Sequence, residues 1–424
     1  MNRILLLPFL LLPSTWVLAA ELEVPLEMVA YGIQSDTTAT KFRRTRIGLD
    51  VADYDGATYY FEIVAKNSDS SNRFVRLIDN SDNVEATITI TSSTSNFTRF
   101  RSTSWTPTGD DNYRIETEGT TGAGDVEVRA GRIIVAQTGA TKTRIQIPLL
   151  GDGHDQKTTA DFGLQVDFTA SATYTQGNSA EYGLWDWNSA NWGTLPGDST
   201  AIGIEAVIAI DNGAQTGTAG LHNFTDGTLV TGAEVSTTGT ASTPLLVSTE
   251  VASSATNFDS GDEFEFRIKV TGGTNIRIYR AAVYVRLDPI DKGEVYYRYS
   301  RYDQAAANLE HPDQRVLVNT GLFDSPVVYN EATMIESSAG DRTWEVSDHG
   351  TNDSGTGGTP VSSGGLATDS GTRVIVRSGA LTITSSNRFI AEATGSSGTI
   401  DITHSFLVVA FDAPVSGFLL RRRR

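Results

Sequence analysis

The sequence predicts an all-β protein, a tandem array of three antiparallel β-sandwich domains of jelly-roll type. One pattern occurs three times: an alternating strand, a turn rich in Gly, Ser and Thr, a short strand and an apolar closing strand. A shared spacing between different side chains indicates one fold used three times. The spacing from short to closing strand is constant: Val128 to Ile133, Ile278 to Val283, and Ile402 to Leu407.

Composition supports the strands and excludes several functional classes. Hydrophobic residues make up 39% of the 424 residues, and no stretch beyond the first twenty positions has apolar residues at helical spacing. The net charge of −18 disfavours binding to nucleic acid, so no such partner is expected. The chain has no cysteine, which excludes thiol catalysis and thiolate metal sites.

The first twenty residues have the pattern of a secretory signal. A basic start precedes an apolar run from Ile4 to Leu18, and Ala19 and Ala20 supply small residues before Glu21. The alternative is a membrane anchor, but the run is short and contains Pro8 and Pro13. We therefore expect a bacterial protein that is secreted or held at the cell surface, with no membrane span.

The pattern divides the chain into consecutive parts. Only short linkers separate the sandwiches, which predicts a stiff rod. Two segments, 186–200 and 349–372, look like insertions, and the second is expected to be a mobile loop. The parts are a signal peptide (1–20), a lead-in that is an edge strand or a strand donated to another subunit (21–37), three sandwiches (38–138, 139–288 and 289–412) and a basic tail (413–424) that ends in Arg421–Arg424.

Residues 221–235 resemble the central hairpin of jelly-roll modules in secreted bacterial proteins and phage structural proteins. Residues 76–84 form a shorter version, and 344–350 a remnant. These modules are similar in fold to carbohydrate-binding modules, and the resemblance implies a non-enzymatic array on a surface or particle. Independently of it, Asp226-Gly227 favours a two-residue type I′ hairpin turn.

No compact catalytic motif is present. The five histidines are not at metal-ligand spacing, and there is no nucleophile elbow, phosphate-binding glycine loop or His-Glu-x-x-His pair. We therefore expect that the chain is not an enzyme. A dispersed carboxylate pair, as in a glycoside hydrolase, stays open as a weaker alternative and would need a deep cleft.

Two groups of aromatic residues are candidate ligand-binding sites. Tyr182, Trp185, Trp187 and Trp192 could stack on sugar rings. Alternatively Trp185 and Trp187, which share one face of a strand, fill the core. We expect one of these two in the core and Trp192 exposed in a loop; burial of all three tryptophans would contradict a sugar platform. Tyr297 and Tyr299 alternate with Arg298 and could form a strand-stabilising ladder, a seam between domains or subunits, or a binding surface.

Acidic loops are candidate calcium sites, because calcium binds six to eight oxygen ligands in flexible turns. The alternative is that they are solvated turns, since none has the spacing of an EF-hand. No other cofactor is expected. The candidate ligands are Asp110, Asp111, Asp152, Asp155, Asp262 and Glu263.

Two functions from different classes follow from these patterns. The first is structural or adhesive work at the cell surface, in extracellular matrix or in a filament, with self-association through edge strands. The second is binding of an extracellular polysaccharide through the aromatic platform. We expect the structural role to be the main one.

Overall fold

The structure is a computed structural model that describes most of the chain. The described residues are 18–35, 40–41, 46–68, 70–92, 94–118, 126–150, 166–168, 172–175, 183–197, 200–240, 245–272, 275–299, 302–305, 309–310, 315–338, 342–355, 357–395 and 399–412. The signal peptide and the basic tail fall outside them, apart from the last residues before Glu21.

The described residues form β-strands joined by loops and short 3-10 turns. The 3-10 turns used below are Val51–Asp53, Ser189–Asn191 and Thr320–Leu322. The strands are β1 (Leu18–Ser35), β2 (Thr40–Lys41), β3 (Ile47–Asp50), β4 (Ala57–Asn67), β5 (Arg73–Ile78), β6 (Val84–Ile90), β7 (Thr98–Arg101), β8 (Asp110–Glu118), β9 (Val126–Ala140), β10 (Thr143–Leu150), β11 (Val166–Phe168), β12 (Trp185–Trp187), β13 (Ile202–Ile210), β14 (Gly217–Asn223), β15 (Thr228–Thr237), β16 (Leu245–Val251), β17 (Asp262–Val270), β18 (Ile276–Leu287), β19 (Gly293–Arg298), β20 (Tyr302–Ala305), β21 (Leu309–Glu310), β22 (Val316–Val318), β23 (Val327–Ser338), β24 (Thr343–Asp348), β25 (Thr359–Pro360), β26 (Val374–Arg377), β27 (Asn387–Thr394) and β28 (Thr399–Phe411).

The strands make three two-sheet sandwiches, which we call the first, second and third units. The first unit has sheets β1-β9-β4-β7 and β2-β8-β5-β6, with β3 also on β8. The second has β10-β18-β13-β16 and β12-β17-β14-β15, with β11 on β18. The third has β19-β28-β23-β26 and β21-β27-β24-β25, with β20 on β28 and β22 on β27. This is the eight-strand order of a jelly roll, and it confirms the predicted all-β fold class.

Each closing strand contains a β-bulge at the same position. The strand pairs β4–β9, β13–β18 and β23–β28 each skip one residue of the closing strand. The short strand and the closing strand predicted from the sequence are therefore one strand, which the bulge bends in the middle. The skipped residues lie four positions before the closing apolar residue in every unit: Arg129, Tyr279 and Thr403.

The three units pack on one another, so the prediction of a rod is wrong. The third unit contacts the first as well as the second: β1 packs against β19, and β10 packs against both. A sheet that is covered on both faces loses the alternation of buried and exposed residues. Accordingly, every residue of β13 and β19 is buried.

Other local predictions also change. Most of the lead-in belongs to β1, which pairs with β9 of the same chain. The supposed insertion at 186–200 contains most of β12 and a 3-10 turn, both of which have counterparts in the other units. The loop 349–372 is held in place: the amide of Arg99 donates to the carbonyl of Asp353 at 2.9 Å, and Leu366 is buried.

The predicted two-residue hairpin turn has four residues instead. Asn223 pairs with Thr228, and of the residues between them only Gly227 has a positive φ, of 70°. A type I′ turn needs positive φ at both central residues, so the Asp226-Gly227 signal marked the turn but not its type. The side chain of Asn223 accepts from the amide of Asp226 at 2.9 Å and closes the longer loop.

Gly203 offers a test of how tightly the second unit is packed. A Cβ on Gly203 would lie 1.8 Å from the ring of Tyr284, which the guanidinium of Arg144 covers 3.6 Å from the ring centroid. Gly203→Ala should therefore lower the free energy of unfolding by about 1–3 kcal/mol in urea titrations. Gly197→Ala is the control, because nothing lies within 4 Å of its Cβ position. Equal stability of the two variants would contradict the packing described.

Candidate functional site

One glutamate lies at the same place in each unit, on the outer face of the middle strand. Glu62 pairs with Arg132, Glu205 with Ala282 and Glu331 with Phe406. The three glutamates are equivalent because these partners occupy the same register position of the closing strand. An outward-facing carboxylate on a sandwich normally meets water. Here each is at most 3% exposed, because a neighbouring unit covers it: Glu62, Glu205 and Glu331.

The first seam lies between the first and third units. The carboxylate of Glu62 accepts from the Nε of Arg101 and from the Nε of Arg132, both at 2.9 Å, and from Arg99. Two of these arginines also reach the third unit. Arg99 donates to the Asp353 carboxylate at 3.2 Å, and Arg132 donates to the backbone carbonyl of Arg315.

The second seam lies between the second and first units. Glu205 accepts from Arg144 at 3.1 Å and pairs with Arg280. Arg280 also donates to the carbonyl of Pro25 in β1, at 3.2 Å. From the first unit, the Asp53 carboxylate accepts from Arg286 at 2.8 Å. The arginines of this seam thus bond to both units.

The third seam lies between the third and second units. Arg377 bridges Glu331 and Glu294, with its Nη1 2.7 Å from the Glu294 carboxylate. The side-chain amide of Asn191, in the second unit, donates to the same Glu294 at 3.0 Å. All three seams therefore join a buried carboxylate, its arginines and groups of the adjacent unit.

The 3-10 turns show that the seams form a closed ring. Each turn follows a strand of one unit and contacts the next: the first reaches β10 through Asp53, the second reaches β19 through Asn191, and the third packs against β1. Because equivalent elements meet in the cyclic order first, second, third, first, the chain has pseudo-threefold symmetry. A buried aromatic residue follows each turn: Tyr54, Trp192 and Phe323.

Burial and neighbouring charges shift the pKa values of the seam carboxylates, upward for two of them and downward for one. The arginines around Glu62 outweigh its burial and lower its pKa to about 2. Burial raises the pKa of Glu331 to about 7, with Glu294 adding to the effect and Arg377 opposing it. Burial also raises the pKa of Glu23, beside Arg132 and Glu62, to about 7. The seams thus contain carboxylates that hold a proton near neutral pH and one that does not.

The aromatic platform is not exposed. Trp185, Trp187 and Trp192 are only 1, 2 and 5% exposed, so the expectation that Trp192 stands free in a loop is wrong. The neighbouring asparagines do not indicate exposure: Asn188 caps the 3-10 turn that carries Trp192 inward onto Trp187, with ring centroids 5.7 Å apart. Tyr182 lies outside the described residues.

A cleft does open beside these rings. Its volume is about 600 Å³, and the side chains of Trp187, Trp192 and Phe258 line its buried part. Hydroxyl and carboxylate groups stand at its rim, among them Ser254 and Asp259, both exposed. The site therefore offers the edges of an aromatic cluster and polar groups, rather than an open aromatic face.

Tyr297 and Tyr299 lie in a contact between units. Both are buried, and the hydroxyl of Tyr297 donates to the carbonyl of Glu21 at 2.6 Å. The amide of Arg298 donates to the Glu23 carboxylate at 3.2 Å. Of the three alternatives, a stabilising ladder, a seam and a binding surface, the structure supports the seam. Neither tyrosine is open to a ligand there.

The candidate calcium ligands do not come together in the described part of the chain. Within it, no group of three or more acidic or histidine side chains is arranged to hold a metal ion. The Asp262 carboxylate accepts from the Asn223 amide at 2.6 Å instead, and Asp110 is exposed at the start of β8. Asp111 and Glu263 are partly buried in their own strands. Asp152 and Asp155 lie outside the described residues.

The three seam glutamates are not among the site residues predicted from the sequence, although the sequence contains a signal for them. Each is one charged residue at the position that the repeat aligns, inside an apolar run in the first two units and next to a buried asparagine in the third: Phe61-Glu62-Ile63, Ile204-Glu205-Ala206 and Asn330-Glu331-Ala332. A charge at the same place in three buried strands is costly unless it is paired. That pattern could have predicted a covered outer face.

Comparison with known proteins adds little to these observations. No protein-family model and no curated protein matches the chain. Among the described residues, no helix has the length and apolarity to span a membrane.

Solved structures overlap the chain only loosely. The N-terminal CBM22-1-CBM22-2 tandem domain from Paenibacillus barcinonensis Xyn10C is 10% identical and has a TM-score of 0.19, covering 63% of this chain and 99% of its own. An archaeal virus protein described as having a triple jelly roll fold is 10% identical with a TM-score of 0.15, covering 94% and 91%. An infectious bursal disease virus structure is 9% identical with a TM-score of 0.19, covering 94% and 83%. At such TM-scores the likenesses carry no argument, and the strand order alone establishes that the three units are jelly rolls.

Arg132 is the most direct test of the first seam. Arg132→Met should lower the free energy of unfolding by about 3–5 kcal/mol, because it removes the guanidinium between Glu62 and Glu23 and leaves the ionised, buried carboxylate of Glu62 with one cation fewer. Lys269→Ala, which breaks an exposed pair with Glu234, is the control and should cost less than about 1 kcal/mol. Chemical denaturation followed by tryptophan fluorescence measures both, and similar losses would argue against a buried ion-pair seam.

The stability of the seams should depend on pH in a defined direction. Glu331 and Glu23 bind a proton more tightly when folded, so their contribution is complete below about pH 4.5 and is lost as the pH rises through 7. The free energy of unfolding should therefore fall by more than about 1 kcal/mol between pH 5 and pH 9.

Two variants separate the contributions to this pH dependence. Glu331→Gln imitates the protonated form and should reduce the fall in the free energy of unfolding between pH 5 and pH 9. Glu62→Gln should instead destabilise the chain fully above about pH 4.5, with an effect that diminishes as the pH falls through 2, because the lowered pKa of Glu62 stabilises the folded state only where the carboxylate is ionised. A pH profile unchanged by Glu331→Gln would contradict the assignment.

Proposed function

We propose that the chain is a non-enzymatic structural or adhesive protein, exported from a bacterial cell, that acts as a rigid three-lobed building block at the cell surface or in an extracellular matrix or filament. The observation that carries the proposal is the closed ring of seams. Because each unit is fixed to both others, the lobes keep one relative arrangement, which favours a repeating block over a flexible tether.

The placement of the buried charges supports a role without catalysis. Catalytic carboxylates work in a cleft that admits substrate. Two pairs of carboxylates that share an arginine, Glu23 with Glu62 and Glu294 with Glu331, are buried between units. These groups hold the lobes together and are closed to substrate. The net charge of −18 favours solubility after export.

Light scattering combined with negative-stain imaging of the exported chain tests this proposal. We expect three-lobed particles of constant outline that form ordered polymers or rings as concentration rises. Addition of calcium and then a chelator would show whether the acidic loops contribute. Particles whose lobes move independently, or a chain that stays monomeric at every concentration, would overturn the proposal.

Burial of Trp185, Trp187 and Trp192 contradicts the predicted sugar platform. Polysaccharide binding is the second candidate function only through the cleft beside Trp192, which offers ring edges and polar groups instead of an open aromatic face. Trp192→Ala is a poor test, because removal of a buried tryptophan costs about 3–5 kcal/mol by itself. Ser254→Trp should fill the rim and abolish retention in affinity electrophoresis, with the fold intact by circular dichroism. Thr382→Trp, in the corresponding loop of the third unit, is the matched control. Equal retention of both variants and the parent chain would place binding elsewhere or exclude it.

A further inference from the structure

β6 lies at the edge of its sheet in the first unit, and no described strand pairs with its outer side; the side-chain amide of Asn67 bonds to the carbonyl of Ile90 at the end of β6, at 3.1 Å. β6 is the last strand of the sheet β2-β8-β5-β6, and within the described part of the chain it pairs with β5 alone. Its regular part, residues 86–90, alternates Ala86, Ile88 and Ile90 inward with Thr87 and Thr89 exposed. An open edge presents unpaired backbone groups that another strand can complete.

The same edge is protected in the second unit. β15 occupies this place there, and its register with β14 shifts between Gly220 and His222. Gly232 has a φ of 87°, and the amide of Thr231 is already bonded to the carbonyl of Thr256. Irregular register and an occupied amide are devices that prevent edge-to-edge pairing.

The third unit protects its edge in another way. β25 has only two residues, and the second is Pro360, which has no amide hydrogen to donate. Two of three equivalent edges are therefore blunted. The β6 edge differs because residues 86–90 contain no proline, glycine or charge, and its one register shift with β5 falls before Ala86.

Residues 86–90 are complementary to themselves. In an antiparallel pair centred on Ile88, Ala86 faces Ile90 of the second copy, and Thr87 faces Thr89 of the second copy. Apolar residues then meet on one face and threonines on the other, with no like charges opposed. This matters in a chain whose net charge is −18, because that charge opposes the association of two copies.

We propose that two copies of this chain pair through β6, antiparallel about Ile88, to form one continuous sheet across a twofold axis. This inference deepens the proposed function, on which it rests, by naming the surface through which the blocks join. Val84, at the start of β6, is 52% exposed, more than any other large hydrophobic residue in the described part of the chain. A partner strand along this edge would cover part of it.

Paired charges on the exposed threonines test both the edge and the register. Thr87→Lys/Thr89→Lys places lysines opposite lysines twice across the axis, and should weaken dimerisation about tenfold or more. Thr87→Lys/Thr89→Glu places each lysine opposite a glutamate, and should restore dimerisation to within about threefold of the parent. Analytical ultracentrifugation of the full chain gives the dimer constants, and circular dichroism confirms folding.

Thr231→Lys is the matched control, since it adds a lysine to the blunted β15 edge and should leave dimerisation unchanged. If both β6 double variants dissociate equally, the proposed register is wrong. If neither variant alters the assemblies that the parent chain forms, the β6 inference fails while the proposed building-block function stands. If the parent chain is monomeric throughout, both fail.

Discussion

Burial of a carboxylate on the outer face of each middle strand is the constraint on which the architecture depends. A buried charge is tolerated only when cations and hydrogen bonds surround it. Glu62, Glu205 and Glu331 each recruit arginines from their own unit, and those arginines or their neighbours bond to the next unit. A unit separated from its neighbours would expose this network to water. The lobes are therefore parts of one molecule with little tendency to separate.

Each of the three seams stabilises a buried carboxylate, but with different residues. Glu62 is held by three arginines, Glu205 by two, and Glu331 by one that it shares with Glu294. The covering groups also differ, from the carbonyl of Arg315 to the side chain of Asn191. Since each carboxylate matches one set of partners, the pairing of lobes is specific, as charge patterns specify partners in other assemblies.

The sequence was sufficient to predict the fold class, because its evidence is local. Alternation identifies strands, and a constant offset within the closing strands identifies the repeat; the shared bulge is the physical cause of that offset. Contacts between units, by contrast, join residues that are far apart in the sequence. Arg99 and Asp353 are 254 positions apart, and no periodicity links them. The rod was therefore expected where a ring exists.

Prediction of the site failed for a related reason. Clustered tryptophans near asparagines resemble an exposed platform, but a capped 3-10 turn directs Trp192 into the core. The same turn in the other units carries Tyr54 and Phe323 inward. A comparison between units would have aligned these three aromatic residues as anchors. The seam glutamates needed the same comparison, since a lone charge in one apolar strand has no evident meaning.

Because the contacts between units form a ring, the three junctions between consecutive units are equivalent, whichever unit comes first along the chain. Short links join β9 to β10 and β18 to β19, and the pseudo-threefold axis relates both links to the place where β28 ends and β1 starts. Phe411 at the end of β28 packs on Phe323, beside the turn that contacts β1. Within the described residues, the end of β28 and the start of β1 therefore correspond to the strand ends that a short link joins at the other two junctions. A circular permutant opened at another link, with residues 411 and 18 joined, would retain all three seams.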